Sequence, residues 1–131
     1  MKKIVFIVEK TTTGYSAYAE NFNKFSVGTT GINLAVLRQN ILEASNLYQE
    51  HQGRPAITDN DIAIQLDLPQ FFDFYKEINA KALSNRVGIN QTLLSQYING
   101  HKKPSNKQVH RILDGIKQLG QELSRLDLAD A

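Results

Sequence analysis

The sequence predicts an α+β protein built in two parts, a small sheet domain over residues 1–68 and an all-α domain over residues 69–131. Three features carry that expectation. Apolar residues alternate, or run together with Ile and Val, in short segments of the first half, which is the period of strands. Between those segments a longer stretch repeats its apolar residues at three- and four-residue spacing, the period of a helix. Beyond Pro69 the pattern is helical throughout.

Lys2 to Lys10 is rich in Ile and Val and reads as a first strand. Tyr15 to Phe22 sets Tyr15, Ala17 and Ala19 against Ser16, Tyr18 and Glu20 and reads as a second. Thr11 to Gly14 has turn composition, so the two should pair as an antiparallel hairpin. A short third strand is expected over Phe25 to Val27. From about Thr30 to Glu50, Leu34, Leu37, Ile41, Ala44 and Tyr48 form one stripe on a helix that should lie on the sheet. Gln52-Gly53-Arg54-Pro55 stops that helix. Asp61 to Leu68 then alternates Ile62, Ile64, Leu66 and Leu68 against Ala63, Gln65 and Asp67, the clearest strand in the chain. The order is β-β-(β)-α-β.

Pro69 ends that strand and suits the first turn of a helix, which places the domain boundary near residue 68. Phe71, Phe74 or Tyr75, and Ile78 outline a first helix, Lys81 to Val87 a second, Gln91 to Ile98 a third, and Asn106 to about Leu126 a fourth. In the fourth, Val109, Ile112, Leu113, Ile116, Leu119, Leu123 and Leu126 make a continuous stripe. Units this small bury only roughly 60% of their unfolded surface and gain from self-association. A homodimer or higher homo-oligomer is therefore expected, with Leu119, Leu123 and Leu126 extending the fourth helix for the contact.

The chain has no cysteine, which excludes disulfides and thiolate metal sites and agrees with a reducing cytoplasm. Ile4 to Val8 follows two lysines, but Glu9 and Lys10 end the run too soon for a signal peptide. Nothing approaches the run of about 20 apolar residues that spans a bilayer, so no membrane partner is expected. Without a secretion signal the sequon Asn90-Gln91-Thr92 carries no meaning. The net charge of +2 is unevenly spread. Residues 79–117 hold seven cations against the single acid Asp114, a balance of +6 that leaves −4 for the rest. One part is thus suited to a polyanion and the other is not.

No enzyme is expected. Glu9, Glu20, Asp59, Asp61 and Asp67 could suggest a carboxylate metal cluster, but the three aspartates fall at the start and on the outward face of a strand and read as solvated charges. His51, His101 and His110 lack a zinc spacing. Gly28 to Gly31 lacks the lysine of a phosphate loop. No nucleophile with a base is evident, and no cofactor is implied.

The informative stretch is Leu83 to Ser105, LSNRVGINQTLLSQYINGHKKPS. Gly88 falls where the chain must turn sharply between two helices, and glycine tolerates the positive φ of such a corner. Ile89 can plug the gap between the helices, and Asn90 is a good cap for the helix starting at Gln91. On that helix Leu94, Tyr97 and Ile98 share one face, directed at Leu83 and Val87, and Ser84 is small enough for a close approach. The other face carries Gln91, Thr92, Ser95 and Gln96, short neutral groups with the chemistry of base-edge reading: glutamine pairs with adenine, hydroxyls bond either partner, and a threonine methyl meets a thymine methyl. Asn99-Gly100 reads as a helix end, and His101, Lys102 and Lys103 follow in a loop suited to phosphates. Pro104-Ser105 starts the next helix.

This stretch resembles the helix-turn-helix of the phage-repressor-like (Cro/XRE) family, in its leucine, small residue, corner glycine, polar helix, Asn-Gly, basic loop and Pro-Ser. The resemblance implies binding of double-stranded DNA, with Gln91, Thr92, Ser95 and Gln96 facing the major groove and Asn90, Asn99, Lys102 and Lys103 touching phosphates. Residues 3–68 resemble the HicB antitoxin domain through Gly14-Tyr15 at the second strand and Gly28-Thr29-Thr30 before the helix. That resemblance implies a partial ribonuclease-H-like sheet without activity that occludes a small HicA-like ribonuclease toxin, while the DNA-binding half represses the operon. Two other expectations stand beside it: a transcriptional regulator whose sheet domain senses a ligand or oligomerises, with no toxin, and an adaptor whose helical corner is purely structural.

Overall fold

The computed structural model describes residues 2–128. It is α+β, with a four-stranded mixed sheet and five α-helices among the described residues. Its contacts divide the chain into two compact units, Met1–Phe74 and Tyr75–Ala131.

In the first unit β1 (Ile4–Thr11) and β2 (Gly14–Ala19) form the expected antiparallel hairpin, closed by Thr12 and Thr13. β3 (Gly28–Gly31) pairs antiparallel with β2, and β4 (Ile62–Leu66) pairs parallel with β1, giving the order β3-β2-β1-β4. Between β3 and β4 the helix α1 (Leu34–His51) makes the crossover that parallel pairing requires. The pleat sends Phe6 and Val8 of β1, Ala17 and Ala19 of β2 and Ile62 of β4 into one core with Leu37 and Ile41 of α1. Complete burial of residues such as Phe6, Leu37, Ile41 and Ile62 stabilises the unit by about 1.5–3 kcal/mol each.

The third strand lies later than Phe25 to Val27. Phe25 and Val27 are buried, but they anchor the loop before the strand, and Phe25 packs edge-on against Phe6 with ring centroids 6.2 Å apart. The residues that pair are Gly28 to Gly31, with Thr29 and Thr30 opposite Ala17 and Ser16. Because those threonines belong to a strand, α1 starts at Leu34, with Asn33 as its cap accepting from Val36 N at 2.8 Å. Gly31 is needed for close approach, since a Cβ there would meet the Leu37 backbone nitrogen at 2.5 Å. The buried line of α1 also differs from the expected stripe. It runs Leu37, Ile41, Ser45, Gln49, while Ala44 and Tyr48 flank it and Leu34 is half exposed.

Pro69 does open a helix, α2 (Leu68–Phe74), but that helix belongs to the sheet unit, so the division falls after Phe74 and not near residue 68. Its side chains explain why. Leu68 and Phe72 are buried. The Gln70 carboxamide accepts from the Lys10 backbone N at 2.8 Å and donates to the Lys10 carbonyl at 2.7 Å, continuing the strand's hydrogen bonding with a side chain. The helix ends at Phe74, short of Ile78, whose N–H closes a turn onto Tyr75.

The second unit contains α3 (Ala80–Val87), α4 (Gln91–Ile98) and α5 (Asn106–Ser124). α3 packs against both of the others. Ile112 and Gly115 of α5 are buried, and Val109, Leu113, Ile116 and Leu119 are partly so. The stripe leaves the core at its end: Leu123 is 56% exposed, and Leu126, at 75%, lies beyond the helix.

Candidate nucleic-acid interface

The corner between α3 and α4 is built from local rules. α3 ends at Gly88, whose φ of +70° is the left-handed conformation that favours glycine. The N–H groups of Gly88 and Ile89 both turn back to the Ser84 carbonyl, the latter at 3.1 Å. Ile89 is 5% exposed and fills the space between the helices. The Asn90 side-chain oxygen then accepts from Thr92 N at 2.8 Å and Leu93 N at 3.3 Å, so α4 starts at Gln91 as its sequence predicts.

Leu94 and Tyr97 are buried with Leu83 and Val87, and Ser84, also buried, satisfies its hydroxyl by donating to the Lys81 carbonyl at 2.6 Å. The opposite side is open. Gln91, Thr92, Ser95 and Gln96 are all exposed and, with Asn99 and His101, line one shallow hollow of about 370 Å³. Gln91 and Ser95, like Thr92 and Gln96, are one helical turn apart and stand side by side. The hollow offers amides, hydroxyls and one imidazole, a donor-and-acceptor surface with no carboxylate.

The far end of α4 carries the basic loop. Asn99 ends the helix and its amide donates to Ser95 Oγ at 3.2 Å. Gly100 turns with φ +75°, and the N–H groups of His101 and Lys102 donate to the Gln96 carbonyl at 2.9 and 3.2 Å. Lys102 and Lys103 are exposed and follow directly on the helix's negative end, where cations are favourable with or without a ligand. Ser105 caps α5 by accepting from Gln108 N at 3.2 Å.

Of the eight residues singled out in the sequence, five therefore share one hollow: Gln91, Thr92, Ser95, Gln96 and Asn99. Asn90, Lys102 and Lys103 lie outside its lining. The oxygen of Asn90 is engaged as the cap.

Two long-range ties escaped the sequence reading. Arg111 of α5 donates through Nη2 to the Gly88 carbonyl at 3.1 Å. Arg86 of α3 grips Glu122 of α5 with two bonds of 2.5 and 3.1 Å. The hydrogen bond from Arg86 holds the Glu122 carboxyl below its usual range, and the same bond raises Arg86. Their partners are 23 and 36 positions apart, beyond any local pattern. Beside that pair, Ile78, Ala82, Leu83, Leu119 and Leu123 contribute the apolar lining of a groove of about 680 Å³.

In the first unit the aspartates have local structural roles beyond that of solvated charges. Asp59 pairs with Arg38 at 2.7 Å, Asp61 accepts from Thr58 N at 2.9 Å, and Asp67 accepts from Gln70 N at 3.1 Å. Burial, followed by the charges of Glu9 and Asp67, raises the Tyr18 phenol. Among the described residues no group of three or more His, Cys, Asp or Glu could hold a metal ion. No helix among them is long and apolar enough to cross a membrane. Comparison of the chain with protein-family models, with curated proteins and with solved structures finds no match.

Proposed function

We propose that this chain is a sequence-specific DNA-binding repressor whose helix-turn-helix is α3, the Gly88 corner and α4, and that its sheet unit is a HicB-like antitoxin module that neutralises a HicA-like ribonuclease toxin. One observation carries the DNA reading: Gln91, Thr92, Ser95 and Gln96 stand exposed and adjacent on a helix of the width a major groove admits. Exposed Lys102 and Lys103 at its end supply the phosphate-facing charge. The protein acts in the cytoplasm by binding alone, with no catalytic residue and no cofactor. Two copies associate through the end of α5 and the residues after it, where Leu123 lines the apolar groove and Leu126 is exposed beyond the helix, and so present two α4 helices to successive major grooves about 34 Å apart. The toxin reading rests on Gly14-Tyr15, Gly28-Thr29-Thr30 and the order of the two units.

A second reading keeps the DNA-binding unit and makes the sheet unit a sensor. The observation favouring it is a hollow of about 320 Å³ whose lining includes Lys2, Lys3 and Lys24 against the single carboxylate Glu20, a net positive balance that suits a small anion.

The test is to incubate the full chain with fragmented genomic DNA and sequence what it retains. Enrichment of one near-palindromic site is expected, and retention of no DNA, or of random fragments only, contradicts the proposal. A small basic ribonuclease encoded beside this gene should copurify with the chain and lose activity in the complex. Its absence, together with a copurifying anion, favours the sensor.

A further inference from the structure

By charge alone Arg111 belongs with the cations that face a polyanion, being one of the seven in residues 79–117. Its geometry gives it a different task. The guanidinium reaches from the early part of α5 to the outside of the corner, where Nη2 donates to the Gly88 carbonyl at 3.1 Å. A Cβ on Gly88 would lie 2.8 Å from that same Nη2, so the cation rests directly on the corner, although glycine is favoured there by its φ and not by space, since the end of the arginine can move aside. Carbonyls at a helix end have no intrahelical partner, and a charged donor is a strong way to satisfy one.

The other side of the corner is closed by Ile89, buried and bonded to the Ser84 carbonyl. Only Ile89 and Asn90 separate the anchored carbonyl from Gln91, and Asn90 is itself tied to the first amides of α4. A continuous path therefore runs from α5 through the exposed Arg111 guanidinium to Gly88 and along the backbone into the cap of α4.

We infer that Arg111 is a positioning residue: by clamping the Gly88 carbonyl it fixes the angle at which α4 presents Gln91, Thr92, Ser95 and Gln96, and it contacts no phosphate. Its consequence for DNA rests on the DNA-binding proposal, whereas the clamp itself is measurable without DNA. Site geometry held by a supporting contact loses discrimination when that contact is removed, even though the reading side chains remain.

The experiment compares the full chain with Arg111→Met, which keeps the apolar stem, with Arg111→Gln, which stops short of Gly88, and with Lys102→Ala. Amide hydrogen exchange is followed without DNA, and binding of retained-site and random duplexes is titrated against salt. Both Arg111 variants should speed exchange at Ile89, Thr92 and Leu93 by about tenfold and cut the ratio of specific to non-specific affinity by about tenfold, as loss of a charged hydrogen bond implies. Their salt slope should stay that of the wild type, while Lys102→Ala should lower it by about one unit. A slope lowered in the Arg111 variants with the ratio intact would make Arg111 a phosphate contact and overturn the inference. Unchanged exchange at the three amides overturns it as well, whatever the DNA result. If the wild type binds no duplex, the repressor proposal fails while the exchange data still decide the clamp.

Discussion

Gly115 of α5 lies directly against Val87 of α3, so close that a Cβ at position 115 would overlap Val87 Cγ1. The absence of a side chain there lets the two helices meet, and Leu83 lies 3.8 Å from the same point. Gly115→Ala should therefore destabilise the helical unit by roughly 1–3 kcal/mol through overpacking, despite alanine's better helix propensity. Val87→Ala in the same chain should recover part of that loss. Gly120, on the same helix with nothing within 4 Å, is the internal control: Gly120→Ala should stabilise by about 0.5–1 kcal/mol. Denaturant unfolding of the variants checks the set, and equal effects at 115 and 120 would contradict the packing.

Asn90 separates helix capping from phosphate contact. Asn90→Ala should cost about 0.5–2 kcal/mol of stability because Thr92 N and Leu93 N lose their acceptor. Asn90→Asp keeps the cap but adds a charge that a phosphate repels. Near-native thermal stability with weakened DNA binding is expected of Asn90→Asp in calorimetry and titration. Full DNA affinity in that variant would remove Asn90 from the phosphate-facing set.

The Arg86 and Glu122 pair predicts an acid-dependent loss of stability. Glu122 is held below the ordinary carboxylate value of 4.5, so the unfolded chain binds its proton more tightly than the folded one. The pair's contribution is complete above that value and is lost as pH falls through the lowered one. Melting temperatures of wild type and Glu122→Gln should differ at neutral pH and converge in acid, and the neutral gap should shrink in high salt because both groups are exposed. A gap independent of pH would show that the ion pair contributes nothing.

The proposed self-association through the end of α5 is equally open to measurement. Leu123→Gln and Leu126→Gln replace exposed leucines and leave the fully buried Ile112 in place. Sedimentation should show the double variant shifted from dimer towards monomer, with its helix content preserved. An unchanged dimer would move the contact elsewhere.

Much of this was legible because it is governed locally. The bounds of α4 follow from Gly88 and Asn90, and the hairpin follows from the turn before Gly14. The burial of Leu94 and Tyr97 follows from periodicity, as does β4, except that the strand stops at Leu66 and Leu68, expected to end it, opens α2. What was misread depends on partners distant in sequence. Thr29 and Thr30 look like a helix approach until Ala17 and Ser16 pair with them. Pro69 marks a helix start correctly, but only the bonds between Gln70 and Lys10, 60 positions apart, tell which unit owns that helix. Arg111 and Arg86 read as surface charge because their acceptors lie in other helices.

The most direct probe of the polar face of α4 is a salt-controlled titration of one retained duplex and its base-substituted relatives with Gln91→Ala, Gln96→Ala, Lys102→Ala and Lys103→Ala. The glutamine variants should lose on the order of 1–3 kcal/mol on the retained site, with relaxed sequence preference and an unchanged salt slope. The lysine variants should weaken all duplexes alike and lower the slope by about one unit each. Four variants indistinguishable from the wild type would contradict the assignment of this face to DNA.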